Sequence, residues 1–149
     1  KEGLQLRYPG WLFTHRPTAS PESDGKRAVI SYWGGYKAEY IYHVETNRYT
    51  RYMAGRPHVD GLSGKPIEVS SFIVQYVETE VVDDKGRLRM DLSGTGKAEV
   101  FTGGRRIEGS WWKIGDGRTI FVDDKGQLVR LNPGKVWVQV VPSSARVAW

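Results

Sequence analysis

From Ala28 onward, short apolar segments alternate with turn residues at close and regular spacing. The stretch "RLRMDL", which begins at Arg87, shows the pattern clearly, because apolar residues occupy every second position and charged residues lie between them. Helical periodicity is weak throughout, with room for one short helical turn near residues 69–71. The pattern predicts an all-β fold of about ten short antiparallel strands, rich in hairpins and either closed as a barrel or folded as a sandwich.

One turn sequence occurs twice. "VDDKGRL" begins at Val82 and "VDDKGQL" begins at Val122. Asp tolerates turn geometry and Gly supplies a positive φ, so each copy predicts a hairpin turn between two strands. Recurring hairpin chemistry explains the repetition better than a duplicated structural unit does, although both interpretations fit two copies.

The N-terminal residues differ from the rest of the chain. Residues 15–27, "HRPTASPESDGKR", are polar and rich in Pro and Ser, which predicts a surface loop or linker. Before them, Trp11 and Phe13 are expected to dock on the core. The chain is therefore interpreted as a single all-β domain spanning 1–149, with 1–27 a loosely structured N-terminal segment.

Composition narrows the chemistry. The chain has no cysteine, which excludes disulfides, cysteine-bound zinc, iron–sulfur clusters and thiol catalysis. The glycine-rich "SGTGKAEV" lacks the spacing of a phosphate-binding loop, and Ala98 stands where Ser or Thr would hold magnesium; a hairpin turn is expected there. A net charge of +5 favours acidic partners, although the basic residues are dispersed and fit a solvated surface equally well.

The stretch "RPHVD" is the candidate for a catalytic or metal site. At strand spacing, Arg56, His58 and Asp60 point to one face. A histidine with a nearby carboxylate resembles an oriented base or two metal ligands, but a polar strand face is the simpler interpretation. A metal site would also need His43 or a glutamate to converge on it. No metal, cofactor or catalytic residue is therefore predicted.

Tyrosine and arginine crowd the segments between Tyr32 and Tyr52. Sugar or base stacking on such a surface is reasonable, but cross-strand packing of tyrosine is the commoner explanation. In "RYTRYM", Tyr49 and Met53 are expected to face the core, with the charged head of Arg51 escaping to the rim. The exposed polar face that remains predicts a ligand-binding set: Arg48, Tyr52, Arg56, His58 and Asp60.

Several stretches together carry a family resemblance. In order, "YTRYMAGRPHVDGLSGKPIEVSSFIVQYVETEVVDDKGRL", "SGTGKAEVF", "GGRRIEGSWWK" and "LNPGKVWVQVVP" resemble the C-terminal domain of YerB-like lipoproteins of Gram-positive bacteria, a domain of unknown function. The resemblance covers Ala28 to Pro142. It implies the C-terminal part of a longer lipoprotein, held outside the cytoplasm on the outer face of the cell membrane by an N-terminal lipid anchor that this sequence lacks. It implies a preceding domain in the same chain and no defined activity.

These observations predict a non-catalytic cell-envelope module that binds an envelope protein or a cell-wall polymer. The chain is more easily explained as a binding module than as an enzyme. An envelope hydrolase using His58 and Asp60 is the alternative from another class. A nucleic-acid-binding β-barrel, argued from charge and aromatic content, is a weaker alternative, because a location outside the cytoplasm leaves no nucleic acid to bind.

Overall fold

A computed structural model describes residues 10–32 and 35–149, and the structural statements below refer to these residues. Residues 1–9 of the predicted N-terminal segment lie outside them. Strands build the fold, in two main sheets and two small ladders. The strands are β1 (Leu12–Phe13), β2 (Arg27–Tyr32), β3 (Tyr36–His43), β4 (Arg48–Met53), β5 (Arg56–Pro57), β6 (Glu68–Val69), β7 (Ser71–Val77), β8 (Thr79–Val81), β9 (Leu88–Met90), β10 (Gly94–Thr102), β11 (Arg105–Lys113), β12 (Ile120–Asp123), β13 (Arg130–Leu131), β14 (Val136–Pro142) and β15 (Arg146–Ala148).

The first main sheet has five strands in the order β12-β11-β10-β7-β14. All seven residues of β7 are buried, because this strand lies inside the sheet and both faces of the sheet are covered. Its sequence "SFIVQYV" is accordingly a nearly continuous apolar run. β14 pairs with β7 in parallel, which a purely antiparallel prediction missed. The long connection between the two strands, residues 78–135, makes the parallel arrangement possible.

The second main sheet, in the order β15-β2-β3-β4-β5 with β6 also paired to β4, packs on one face of the first. The all-β prediction is confirmed, and the sandwich is the correct alternative. Between the sheets, the rings of Tyr40 and Phe72 stack at 3.8 Å, and Phe101 stacks on the other side of Phe72 at 4.3 Å. Tyr49 meets Phe72 edge-on. The tyrosine-rich stretch therefore supplies core, as cross-strand packing predicted.

A second core cluster covers the opposite face of the five-stranded sheet. Trp11 closes it, with its ring 5.8 Å from that of Phe121 and its Nε1 donating to the Thr119 carbonyl at 2.9 Å. The docking of Trp11 is thus confirmed. The same prediction was wrong for Phe13, which is 43% exposed and lines an open hollow beside Trp11.

The repeated turns have the predicted geometry. Asp83 accepts hydrogen bonds from the backbone N–H groups of Lys85 and Arg87, and Asp123 makes the equivalent bonds two and four residues further on. Gly86 and Gly126 have φ values of 75° and 77°. Because both turns show one local geometry, the chemistry of the turn accounts for the repeated sequence.

Two local predictions were wrong. Gly96 lies inside β10 and not in a hairpin turn, because the strand passes beneath the indole of Trp111. A Cβ at Gly96 would stand 2.4 Å from the Trp111 Nε1, which donates to the Tyr76 carbonyl at 2.6 Å. The helical turn lies at Ser23–Gly25, whereas residues 69 and 71 are in strands. No helix in the described part of the chain is long and apolar enough to cross a membrane.

Candidate functional site

Arg51 lies between the two sheets with 4% of its surface exposed, so the prediction that its head reaches the rim was wrong. Its Nε donates to the Tyr40 hydroxyl at 3.0 Å and its Nη2 to the Gln139 Oε1 at 3.1 Å. The guanidinium carbon lies 4.5 Å from the centre of the Trp137 ring. Neutral acceptors and an aromatic face therefore surround this cation, and it takes part in no ion pair of the described residues.

His58 is held against the same arginine. The backbone N–H of His58 donates to the Arg51 carbonyl at 2.9 Å, which brings the imidazole Nδ1 against the Arg51 Nη1. A guanidinium can only donate, so Nδ1 accepts and the ring proton is on Nε2. The imidazole also meets the Trp137 ring edge-on at 5.9 Å. His58 is therefore part of the cluster around Arg51.

Asp60 organises its own loop. Its Oδ1 accepts from the backbone N–H groups of Leu62 at 2.7 Å and Ser63 at 3.1 Å, and these bonds lower the pKa of the Asp60 carboxyl. The carboxylate and His58 are thus each bonded elsewhere, and the pair needed by the hydrolase alternative is not assembled. Within residues 10–32 and 35–149, no three His, Asp or Glu side chains cluster closely enough to hold a metal.

The predicted set of five residues is divided between two faces. Arg48 and Tyr52 lie on one face of β4, but Arg56 pairs with Met53 and His58 lies opposite Arg51, on the other face. The prediction that all five residues share one exposed face was therefore wrong. Which side of the sheet Arg56 and His58 lie on is decided by the pairing of β5 with β4, and spacing within one strand does not determine it. Whether these residues bind a ligand stays a prediction.

An open groove of about 600 Å³ runs between residues 60–70 and the start of β14. Its walls hold three cations and two carboxylates, so the groove carries one excess positive charge. Sequence reasoning found part of it and missed the residues from β14 and the loop before it, which are distant in the chain. Its principal side chains are Arg48, Asp60, Lys65, Glu68, Lys135 and Trp137.

The cations of the groove differ in their pairing. Arg48 lies 4.0 Å from Glu68, an exposed and weak ion pair. Lys65 and Lys135 are exposed and form no ion pair within the described residues. Lys135 nevertheless interacts electrostatically with the Asp60 carboxylate, which contributes to the lowered pKa of Asp60. Trp137 separates the groove from the buried Arg51, so the aromatic wall has a cation behind it.

A second buried charge, Glu99, has no exposed surface and lies on the same inner face of the five-stranded sheet as Gln139, with Val74 between them. Arg106 donates to its Oε1 from Nε at 2.8 Å and from Nη2 at 2.5 Å, and the Tyr76 hydroxyl donates to its Oε2 at 2.5 Å. Burial and the bond to Glu99 raise the pKa of Tyr76. Trp149 covers the guanidinium of Arg106 at 3.7 Å. This network satisfies its own groups and is structural.

The fold and site define a two-sheet β-sandwich with an open, weakly basic groove. The family described as "Protein of unknown function (DUF3048) C-terminal domain" matches residues 28–138, and the chain belongs to this family. The resemblance noted from the sequence is thereby confirmed.

A sequence comparison and a structure comparison both show similarity to YerB of Bacillus subtilis. It is 33% identical over 104 residues to "Putative lipoprotein YerB" of Bacillus subtilis (strain 168), an alignment that covers 70% of this chain and 31% of that protein. It also matches the crystal structure of YerB protein from Bacillus subtilis with a TM-score of 0.74 and 26% identity, over 93% of this chain and 47% of that one. The chain thus spans less than half the length of the relatives it matches.

Proposed function

We propose that this domain is a non-catalytic binding module of the cell envelope, and that its groove takes a segment of an anionic cell-wall polymer. The observation that carries the proposal is an open groove with an aromatic wall and two exposed lysines, Lys65 and Lys135, that form no ion pair within the described residues. Arg48 adds a third cation to the lining of the groove. An open groove suits a polymer that passes through it better than a small molecule that needs enclosure.

The partners of His58 and Asp60 within the described residues favour binding over hydrolysis. His58 is engaged by Arg51, and Asp60 is engaged by the backbone of its own loop. A hydrolytic dyad would require both groups to leave these partners and approach each other. The described residues thus give the groove charge and an open shape, but they do not place His58 and Asp60 together as a base and its orienting carboxylate.

A location outside the cytoplasm is part of the proposal. It is supported by the similarity to a Bacillus subtilis protein named as a lipoprotein. Such a protein is anchored to the membrane by lipid attached at its N-terminus, and in this proposal a preceding domain of the same chain lies between the anchor and the module described here. The anionic polymers of the wall would then be the most abundant polyanions within reach.

Charge reversal in the groove tests the proposal. The double variant Arg48→Glu with Lys135→Glu should be retained several-fold less on purified cell wall than the unmodified protein, with the greatest loss at low salt, where screening is weakest. Lys85→Glu with Arg89→Glu makes the same change in net charge on the exposed β8–β9 hairpin and should retain most of the binding. Equal losses in both variants would show a non-specific effect of net charge, and unchanged retention of the groove variant at low salt would remove the groove as the site.

A further inference from the structure

Among the described residues, no strand pairs with the outer edge of β14. Where β14 pairs in parallel with β7, every second residue of β14 directs both its N–H and its C=O toward β7. The Ser143 N–H donates to the Val77 carbonyl and the Ser70 N–H to the Lys135 carbonyl, both at 2.9 Å, so the odd-numbered residues of this segment face β7. The N–H and C=O groups of Val136, Val138 and Val140 therefore point away from the sheet. No hydrogen bond in the described part of the chain reaches them.

The other edges of the two main sheets are protected. The outer side of β12 is covered because Val129 donates to the Phe121 carbonyl and Asp123 donates to the Gln127 carbonyl. In the second sheet, β15 has three residues and begins with Arg146, and β5 has two residues and includes a proline. Short strands, charge and proline are the usual devices that prevent edge pairing.

The edge of β14 lacks these devices along most of its length. Its first six residues, "VWVQVV", contain no charge and four valines, a composition that favours extended structure. The free edge ends at Pro142. Proline has no backbone N–H, and the Pro142 carbonyl already accepts from the Ala145 N–H. A row of unpaired amides of this kind is complementary to another extended backbone, and not to a lipid or a glycan.

We propose that β14 is an interaction edge that pairs, antiparallel, with β14 of a second copy of this chain. Pairing centred on Val138 matches every free N–H with a free C=O, since Val136 then lies opposite Val140 of the other copy. On the inner face of β14, in the same register, Trp137 lies opposite Gln139 of the other copy. Lys135 falls opposite Val141 of the other copy, so the two lysines stay apart and like charges do not meet.

The self-pairing is expected to be weak. Stable interfaces bury ~1,200–2,000 Å² of surface, and the pairing of two seven-residue strands along their edges buries much less. The pair should therefore form only at high protein concentration. Anchoring on a membrane would raise the local concentration of the chain and favour such a pair. The inference stands on the geometry of β14 and does not depend on what the groove binds.

Sedimentation equilibrium with amide hydrogen exchange tests the proposal, over about 10 μM to about 1 mM, the range of weak protein pairs. The unmodified chain should shift from monomer to dimer across this range. The amides of Val136, Val138 and Val140 should gain protection as concentration rises, whereas those of Trp137 and Gln139 are already protected by β7. A monomer at all concentrations overturns the proposal, as does a dimer that leaves the three outward amides unprotected.

Proline substitution gives a second, independent readout. Val138→Pro removes an outward N–H without removing a bond to β7, and should raise the dissociation constant of the dimer at least tenfold. Val136→Pro is the companion variant, because the first residue of a strand tolerates proline best. Val44→Pro, in the exposed turn after β3, is a control that should leave association unchanged. A folded Val138→Pro or Val136→Pro variant that associates normally would contradict the proposed edge.

Discussion

The guanidinium carbon of Arg51 lies 4.5 Å from the centre of the Trp137 ring, and this contact joins β4 of one sheet to β14 of the other. A buried cation without a carboxylate partner is costly unless its N–H groups and charge are otherwise compensated. Here the compensation comes from the Tyr40 hydroxyl, the Gln139 amide oxygen, the His58 imidazole and the indole face. The cluster therefore links the two sheets through polar contacts within an apolar interior.

Gln139 is the acceptor on which this cluster depends, because its Oε1 accepts from both Arg51 and Tyr40. Gln139→Leu should lower the free energy of unfolding by about 2–4 kcal/mol, since it leaves a buried guanidinium and a buried hydroxyl without their acceptor. Urea denaturation measures the change. The double variant Arg51→Met with Gln139→Leu should lose less than the sum of the single variants, because no unpaired cation remains. Additive losses would contradict this account of the cluster.

Glu99 and Arg106 form the other buried charge pair. Glu99→Gln should lower the free energy of unfolding by about 3 kcal/mol, because Arg106, whose side chain is 9% exposed, loses its buried carboxylate. Glu108→Gln is the matched control: it removes a carboxylate from the same arginine, but at a side chain that is 60% exposed, so about 1 kcal/mol or less is expected. Chemical denaturation measures the free energy of unfolding of both variants. Equal losses of stability would refute the distinction between the buried and the exposed carboxylate partner of Arg106.

Features set by neighbouring residues could be predicted from the sequence. The two Asp-Asp-Lys-Gly turns are local, since Asp83 and Asp123 bond to backbone within four residues. The inward position of Tyr49 also follows from alternation along one strand. The turn bonds and the alternation both involve residues close together in the chain, so the sequence pattern was sufficient to predict them.

The site could be predicted only in part, because its contacts cross long stretches of chain. Alternation places Arg51 on the inner face, but an arginine is assigned to the surface unless its acceptors are known, and Gln139 lies 88 residues away. Lys135 and Trp137 reach the groove only because β14 pairs in parallel with β7. Arg48 and Asp60 were found because they belong to the segment that builds the opposite wall.

Alkaline pH should destabilise the fold through the buried tyrosines. Burial raises the pKa of Tyr40 from its ordinary value of 10.0 to about 12, and the nearby Arg51 offsets only part of that rise. Because the folded pKa lies above the unfolded one, the stabilisation is fully present below pH 10 and is lost as pH rises toward 12. A shift of this size corresponds to about 3 kcal/mol, and burial of Tyr49 and Tyr76 acts in the same direction.

Urea denaturation between about pH 9 and about pH 11, a range that crosses the ordinary tyrosine pKa, measures this loss. Tyr40→Phe removes one of the groups that titrate only on unfolding, so the free energy of unfolding should fall less steeply with pH than in the unmodified protein. Tyr36→Phe is the control, since Tyr36 is 59% exposed and should leave the slope unchanged. If Tyr40→Phe and the unmodified protein lose stability at the same rate, Tyr40 ionises in the folded state as easily as an exposed tyrosine. Its protonated hydroxyl would then not be the group that links Arg51 to Gln139.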